Sequence, residues 1–129
     1  MNAPVIEHEI ESHPDNDPSH PIPYPKVLDL VAFNKSGGAN LTIVVASPLF
    51  GDPRSLTRLR DKIEGYLGHM LSTEFQSEAG VPTAENTSIT VALHSGSASE
   101  VYELLERSRV WVQSNNATLV VEKLDVTIN

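Results

Sequence analysis

The chain contains no cysteine, which excludes disulfides, thiolate catalysis and Cys-based zinc sites and leaves redox chemistry silent about compartment. Aromatic residues make up only 5%, too few for a platform on which nucleic-acid bases could stack. No apolar run approaches the roughly 18–20 residues that a membrane-spanning helix needs. The opening, Met1 to Glu7, has neither a basic segment nor an apolar one, so no export signal is expected and a cytoplasmic setting is. The glycosylation-type triplets at Asn40, Asn86 and Asn116 therefore carry no meaning. Lys and Arg are missing from residues 1–25, which hold five acids. Over the whole chain the net charge is -8, which argues against nucleic acid or anionic membrane as a partner and suits a basic protein. Paired catalytic carboxylates, a zinc motif, a nucleophile elbow and a glycine-rich phosphate loop are also missing, so no cofactor and no metal is expected.

With 129 residues, one domain large enough to bury a core is expected. Residues 1–25 alternate acids, prolines and histidines and read as a disordered acidic arm. His8, His13 and His20 in it are competent metal ligands in type, but their spacing matches no helical or turn-based site. Residues 26–125 read as the globular domain and 126–129 as a tail.

Within the domain, Lys26–Asn34 is nearly continuous in apolar residues, which predicts a strand buried on both faces with Asp29 interrupting it. Asp29 is read as an edge or solvent-facing position, or else as a carboxylate held in a pocket. Gly37-Gly38 supplies a turn, and Leu41–Ala46 follows as the antiparallel partner. Pro53 then opens a long helix with Asp52 as its cap. Leu56, Leu59, Ile63, Tyr66, Leu67, Met70 and Leu71 form its inward stripe. The helix is expected to fray over 73–76. Thr87–Ser95 predicts a third strand, and Ser97 with Glu100 fits a capping box for a second helix closed by Asn115-Asn116. A fourth strand spans Ala117–Lys123. The class is α/β (α+β): a mixed four-stranded sheet in the order β-β-α-β-α-β, with an N-terminal antiparallel hairpin and two crossover helices.

Leu28-Asp29-Leu30-Val31-Ala32-Phe33, the strand Leu41–Ala46 and Tyr66-Leu67 together resemble a family of small bacterial proteins of unknown function. The resemblance covers roughly residues 27–123. It implies the fold and a bacterial setting, and supplies no activity.

Three stretches are candidates for function. His94 with Ser95 and Ser97 ends a strand before a helix, where an α/β sheet places ligands, so the turn to Ser99 could serve a small hydrolase or bind an anion. Serines before a helix are ordinarily caps. Arg54, Arg58 and Lys62, four residues apart, oppose the macrodipole of their helix; an anion, an acidic partner or the acidic arm folding back would offset that. Their bland reading is a solvated face. Gly65 and Gly68 on the outward face would let a second helix approach, as in a homodimer, or are simply tolerated. The favoured reading is a non-enzymatic interaction module, such as an acidic inhibitor or immunity-like protein.

Overall fold

A computed structural model describes residues 14–125 of the chain. The elements are β1 (Leu30–Phe33), β2 (Ala39–Val45), α1 (Pro53–His69), α2 (Thr73–Ala79), β3 (Thr87–His94), α3 (Ser99–Ser114) and β4 (Thr118–Leu124). The strands lie in the order β1-β2-β3-β4, with β1 antiparallel to β2 and the other neighbours parallel. The mixed sheet, its N-terminal hairpin and the two crossover helices are as the pattern implies.

Each strand has period-two side chains, so one face of the sheet collects one register. Ala39, Leu41, Ile43 and Val45 of β2 stand beside Thr87, Ile89, Val91 and Leu93 of β3, and all are buried. They join Leu59, Ile63, Tyr66 and Leu67 of α1 and Val101, Leu105 and Val112 of α3 in a single core. Both long helices therefore cover one face. The other face carries Asn40, Thr42, Ser88 and Thr90, where the Asn40 side-chain oxygen accepts from Ser88 Oγ (2.8 Å) and Thr90 Oγ1 (3.0 Å).

This one-sided cover corrects the expectation of a first strand buried on both faces. β1 is a four-residue edge strand, and Leu30 is 59% exposed. It is shorter than expected because the Asp29 carboxylate accepts the Val44 N–H at 2.9 Å and so ends the ladder. Gly38 at the hairpin takes φ 87°, and a Cβ there would fall on the Asn86 carbonyl. Its N–H donates to Ala79 O at 2.7 Å, pinning the hairpin tip to α2.

Two helix boundaries also differ from expectation. α1 stops at His69 rather than fraying through 73–76, because the Ser72 hydroxyl accepts the Phe75 N–H and starts α2 as a separate helix. That break lets Phe75 and Ala79 enter the core. The capping box is not formed. The Ser97 hydroxyl accepts the Leu49 N–H instead, and α3 is capped at Ala98 without a side-chain bond. Asp52 caps α1 as expected, accepting from Ser55 N at 3.0 Å, and Asn116 takes the left-handed φ of 70° beyond α3.

β4 is the second sheet edge. Backbone groups alternate sides along a strand, and Leu124 O accepts from Ser95 N, so residues 119, 121 and 123 point away from the sheet. Open edges invite pairing with another chain. Here Arg109 of α3 donates to the outward Leu119 carbonyl at 2.6 Å while a bond network to Glu106 orients its guanidinium. Lys123, exposed near the far end of β4, places a charge on the same edge strand. Arg109→Ala combined with Lys123→Val is expected to self-associate with rising concentration. Sedimentation analysis of variant and parent checks this, and equal mass curves would refute the edge-guard role.

Candidate functional site

The Arg54–Arg58–Lys62 stripe is where the structure concentrates charge chemistry, and only its Arg54 end is a solvated face. Arg58 is 7% exposed and Lys62 is 2% exposed. A buried cation must be paired or solvated by protein dipoles, and the partners come from residues 14–25 and from Asp29. Arg58 donates through Nε and Nη2 to Ile22 O (3.0 and 2.6 Å), through Nη1 to Asp15 O (2.7 Å) and through Nη2 to Pro23 O (3.3 Å). Lys62 Nζ donates to Tyr24 O (3.1 Å) and to the Asp29 carboxylate (2.8 Å). Arg54 pairs with Asp17 at 2.7 Å, largely in solvent. Burial, then the neighbouring Arg54, lower the proton affinity of Arg58, which stays charged.

Residues 14–25 are accordingly a strap on α1 and not a disordered arm; the rest of the arm, with His8 and His13, lies outside the described residues. The reason is legible in the strap's composition. Pro21, Pro23 and Pro25 have no N–H, so the segment presents carbonyls with few competing donors, and the stripe supplies only donors. Ile22 is 1% exposed and belongs to the core, worth about 1.5–3 kcal/mol by burial alone. The strap also carries a defect. Both polar atoms of the Asn16 amide are buried without a hydrogen-bond partner, a cost of about 1–3 kcal/mol.

His20 fastens the strap. Its Nδ1 accepts the Ile22 N–H at 2.9 Å, so the neutral ring carries its proton on Nε2, which donates to Ser55 Oγ at 2.9 Å. The pair looks like a catalytic Ser–His dyad but has the opposite tautomer: a general base needs a free Nε2 lone pair toward the hydroxyl. Both ring nitrogens are occupied, which also removes His20 from any metal site. Burial chiefly, then the positive charges of Arg58 and Arg54, hold the His20 pKa below its ordinary value.

Beside the strap, Tyr66 closes a second knot. The Asp29 N–H donates to its hydroxyl at 2.7 Å and the hydroxyl donates to Thr42 O at 3.0 Å. Burial pushes the phenol well above its ordinary range, so it stays neutral and can do both. Asp29 is thereby exposed beside the edge strand, as the first of its two readings has it, with its carboxylate nonetheless tied to Lys62 and β2.

The other candidates are not drawn into this cluster. At the end of β3 the His94 Nδ1 accepts the Gly96 N–H at 2.9 Å, Ser95 N donates to Leu124 O, and Ser97 serves Leu49. The His94 and Ser97 side chains and the Ser95 backbone are engaged separately, and no His–Ser side-chain bond joins them. Gly65 and Gly68 are exposed on α1; a Cβ at Gly65 would find only Pro25 O, at 3.9 Å, and one at Gly68 nothing within 4 Å. A shallow cavity of about 220 Å³ lies between Gly65, Tyr66, His69 and the strap's exit at Pro25–Leu28.

One surface feature carries no motif because it is a run of absences. From Ile63 through Glu106 there are seven acids, Glu106 included, and no Lys or Arg, and all seven are exposed. Leu71 and Val81, each 73% exposed, flank α2 within this stretch. Searches against protein-family models, curated proteins and solved structures find no significant match to the chain.

Arg58→Ala removes the donors from three strap carbonyls and is expected to cost about 2–4 kcal/mol in urea unfolding. Arg54→Ala, at the same spacing but in solvent, should be indistinguishable from the parent. Equal effects would refute the buried-donor account. Gly65→Ala is expected to stabilise by about 0.5–1 kcal/mol in the same measurement, since the position is helical and unobstructed; a loss of stability or of assembly mass would instead mark a close helix contact there.

Proposed function

We propose that the chain is a non-enzymatic protein-interaction module of the bacterial cytoplasm that presents an acidic surface to a basic protein partner. The observation that carries this reading is the division of charge between inside and outside. Two of the nine cations, Arg58 and Lys62, are turned inward to hold the strap, while the stretch from Ile63 through Glu106 exposes seven acids and has no Lys or Arg. A surface of one sign steers an oppositely charged partner and raises its association rate. Leu71 and Val81, beside Glu74 and Glu78, add the apolar contact that gives such an encounter a lifetime. α2 and its flanks are thus the proposed contact, in the manner of an acidic inhibitor or immunity-like protein.

Native mass spectrometry of the full chain purified from its own host at low salt tests this. A stoichiometric basic protein is expected, lost with Glu74→Lys plus Glu78→Lys and weakened by Leu71→Ser. A bare chain, or one carrying a small molecule in place of a protein, would sink the reading.

A further inference from the structure

We propose that residues 14–25 are a pH-gated strap: protonation of His20 opens its clasp on Ile22 and Ser55 and lifts the segment from α1, baring Arg58 and Lys62. The proposal rests on the clasp and the strap, independently of the α2 surface. A second proton on the ring can go only to Nδ1, where the Ile22 N–H already points at 2.9 Å. The imidazolium would set one N–H against another, and a backbone N–H cannot turn into an acceptor.

The charges around the ring oppose protonation as well. From α1, Arg54 and Arg58 face it with positive charge; from the strap and the α1 cap, Asp17 and Asp52 offer negative charge. Both carboxylates are already engaged, Asp17 by Ser19 and Arg54, Asp52 by the Ser55 N–H, and those bonds hold each of them below the usual carboxylate range. They remain ionised while His20 titrates. Asn16 is a second, separate reason for the strap to lift, since its buried unpartnered amide regains water on release. The strap's other polar fastenings, the carbonyl bonds to Arg58 and Lys62 and the Arg54–Asp17 pair, are groups that water can solvate once the segment leaves. The burial of Ile22 is what release has to give up.

The direction follows from linkage. The released ring takes its proton near the ordinary value of 6.5, and the clasped ring takes it lower. Closure is therefore at full strength above the released value and weakens as pH falls through it toward the clasped value. With one proton coupled, the ratio of open to closed strap rises by up to about tenfold per pH unit across that window.

The test is ¹⁵N NMR of the full chain between about pH 7.5 and about pH 5, which brackets an imidazole. His20→Asn serves as a non-titrating control, because an Asn oxygen accepts the N–H two residues on in an Asx turn. The strap amides of Ser19, Ile22 and Tyr24 are expected to move toward released values as pH falls, with the midpoint of the His20 ring itself, while α3 amides hold still. The Asn variant should show no such transition. A parent strap unmoved over the whole range, or an Asn variant that releases along the same profile, overturns the proposal. If the Asn variant is open at every pH, the parent decides: coincidence of ring and strap midpoints supports the gate, and a mismatch refutes it.

Discussion

A buried cation has to be given partners, and much of this structure is arranged around two of them. Arg58 and Lys62 sit on α1 where its inward stripe meets the outward face, close enough to the core to lose nearly all their water. Desolvating such groups without compensation is costly enough that the fold supplies acceptors from every available direction. The acceptors are carbonyls of the proline-rich strap and the carboxylate of Asp29. One helix face thereby determines the path of the N-terminal chain and the point where β1 ceases to be a strand.

That arrangement explains why catalytic residue types here do structural work. Ser55, His20, Lys62, Tyr66 and Asp29 lie within one neighbourhood, a combination that often marks an active site. Four of them tie down backbone: His20 takes the Ile22 N–H, Lys62 donates to Tyr24 O, Tyr66 bridges Asp29 and Thr42, and Asp29 takes the Val44 N–H. The Ser55 hydroxyl is held by the His20 ring. The tautomer of His20 is the deciding detail, because the Ile22 N–H leaves the ring no lone pair to offer Ser55. Side-chain identity and proximity alone would have pointed the other way.

The one-sided layering has a parallel consequence for surfaces. In the open order β1-β2-β3-β4 the first hairpin strand and β4 are the edges, and the edge of β4 is covered by an arginine from the helix that precedes it. α2 exists because Ser72 restarts the chain after α1, and its short length leaves Leu71 and Val81 outside while Phe75 goes in. Surface and core at this corner are two results of the same helix break.

The amino-acid pattern by itself determined what depends on local spacing: the period-two strands, the 3.6-period stripe of α1, its Asp52 cap and Pro53 start, the turn at Gly37-Gly38, the left-handed closure at Asn116, and the mixed sheet that their order requires. Tertiary structure alone decided what depends on partners distant in the chain. Whether Arg58 faces water or the Ile22 carbonyl, whether Ser97 caps α3 or serves Leu49, and whether the Asp29 carboxylate is left to water or tied to Lys62 are competitions between local and distant partners. Local patterning cannot rank those competitors, because the winning bond joins residues about forty positions apart and forms only after the sheet has brought them together. The strap is the clearest case: proline and acid made it look too polar to order, and what orders it is two cations on a helix that begins beyond the hairpin.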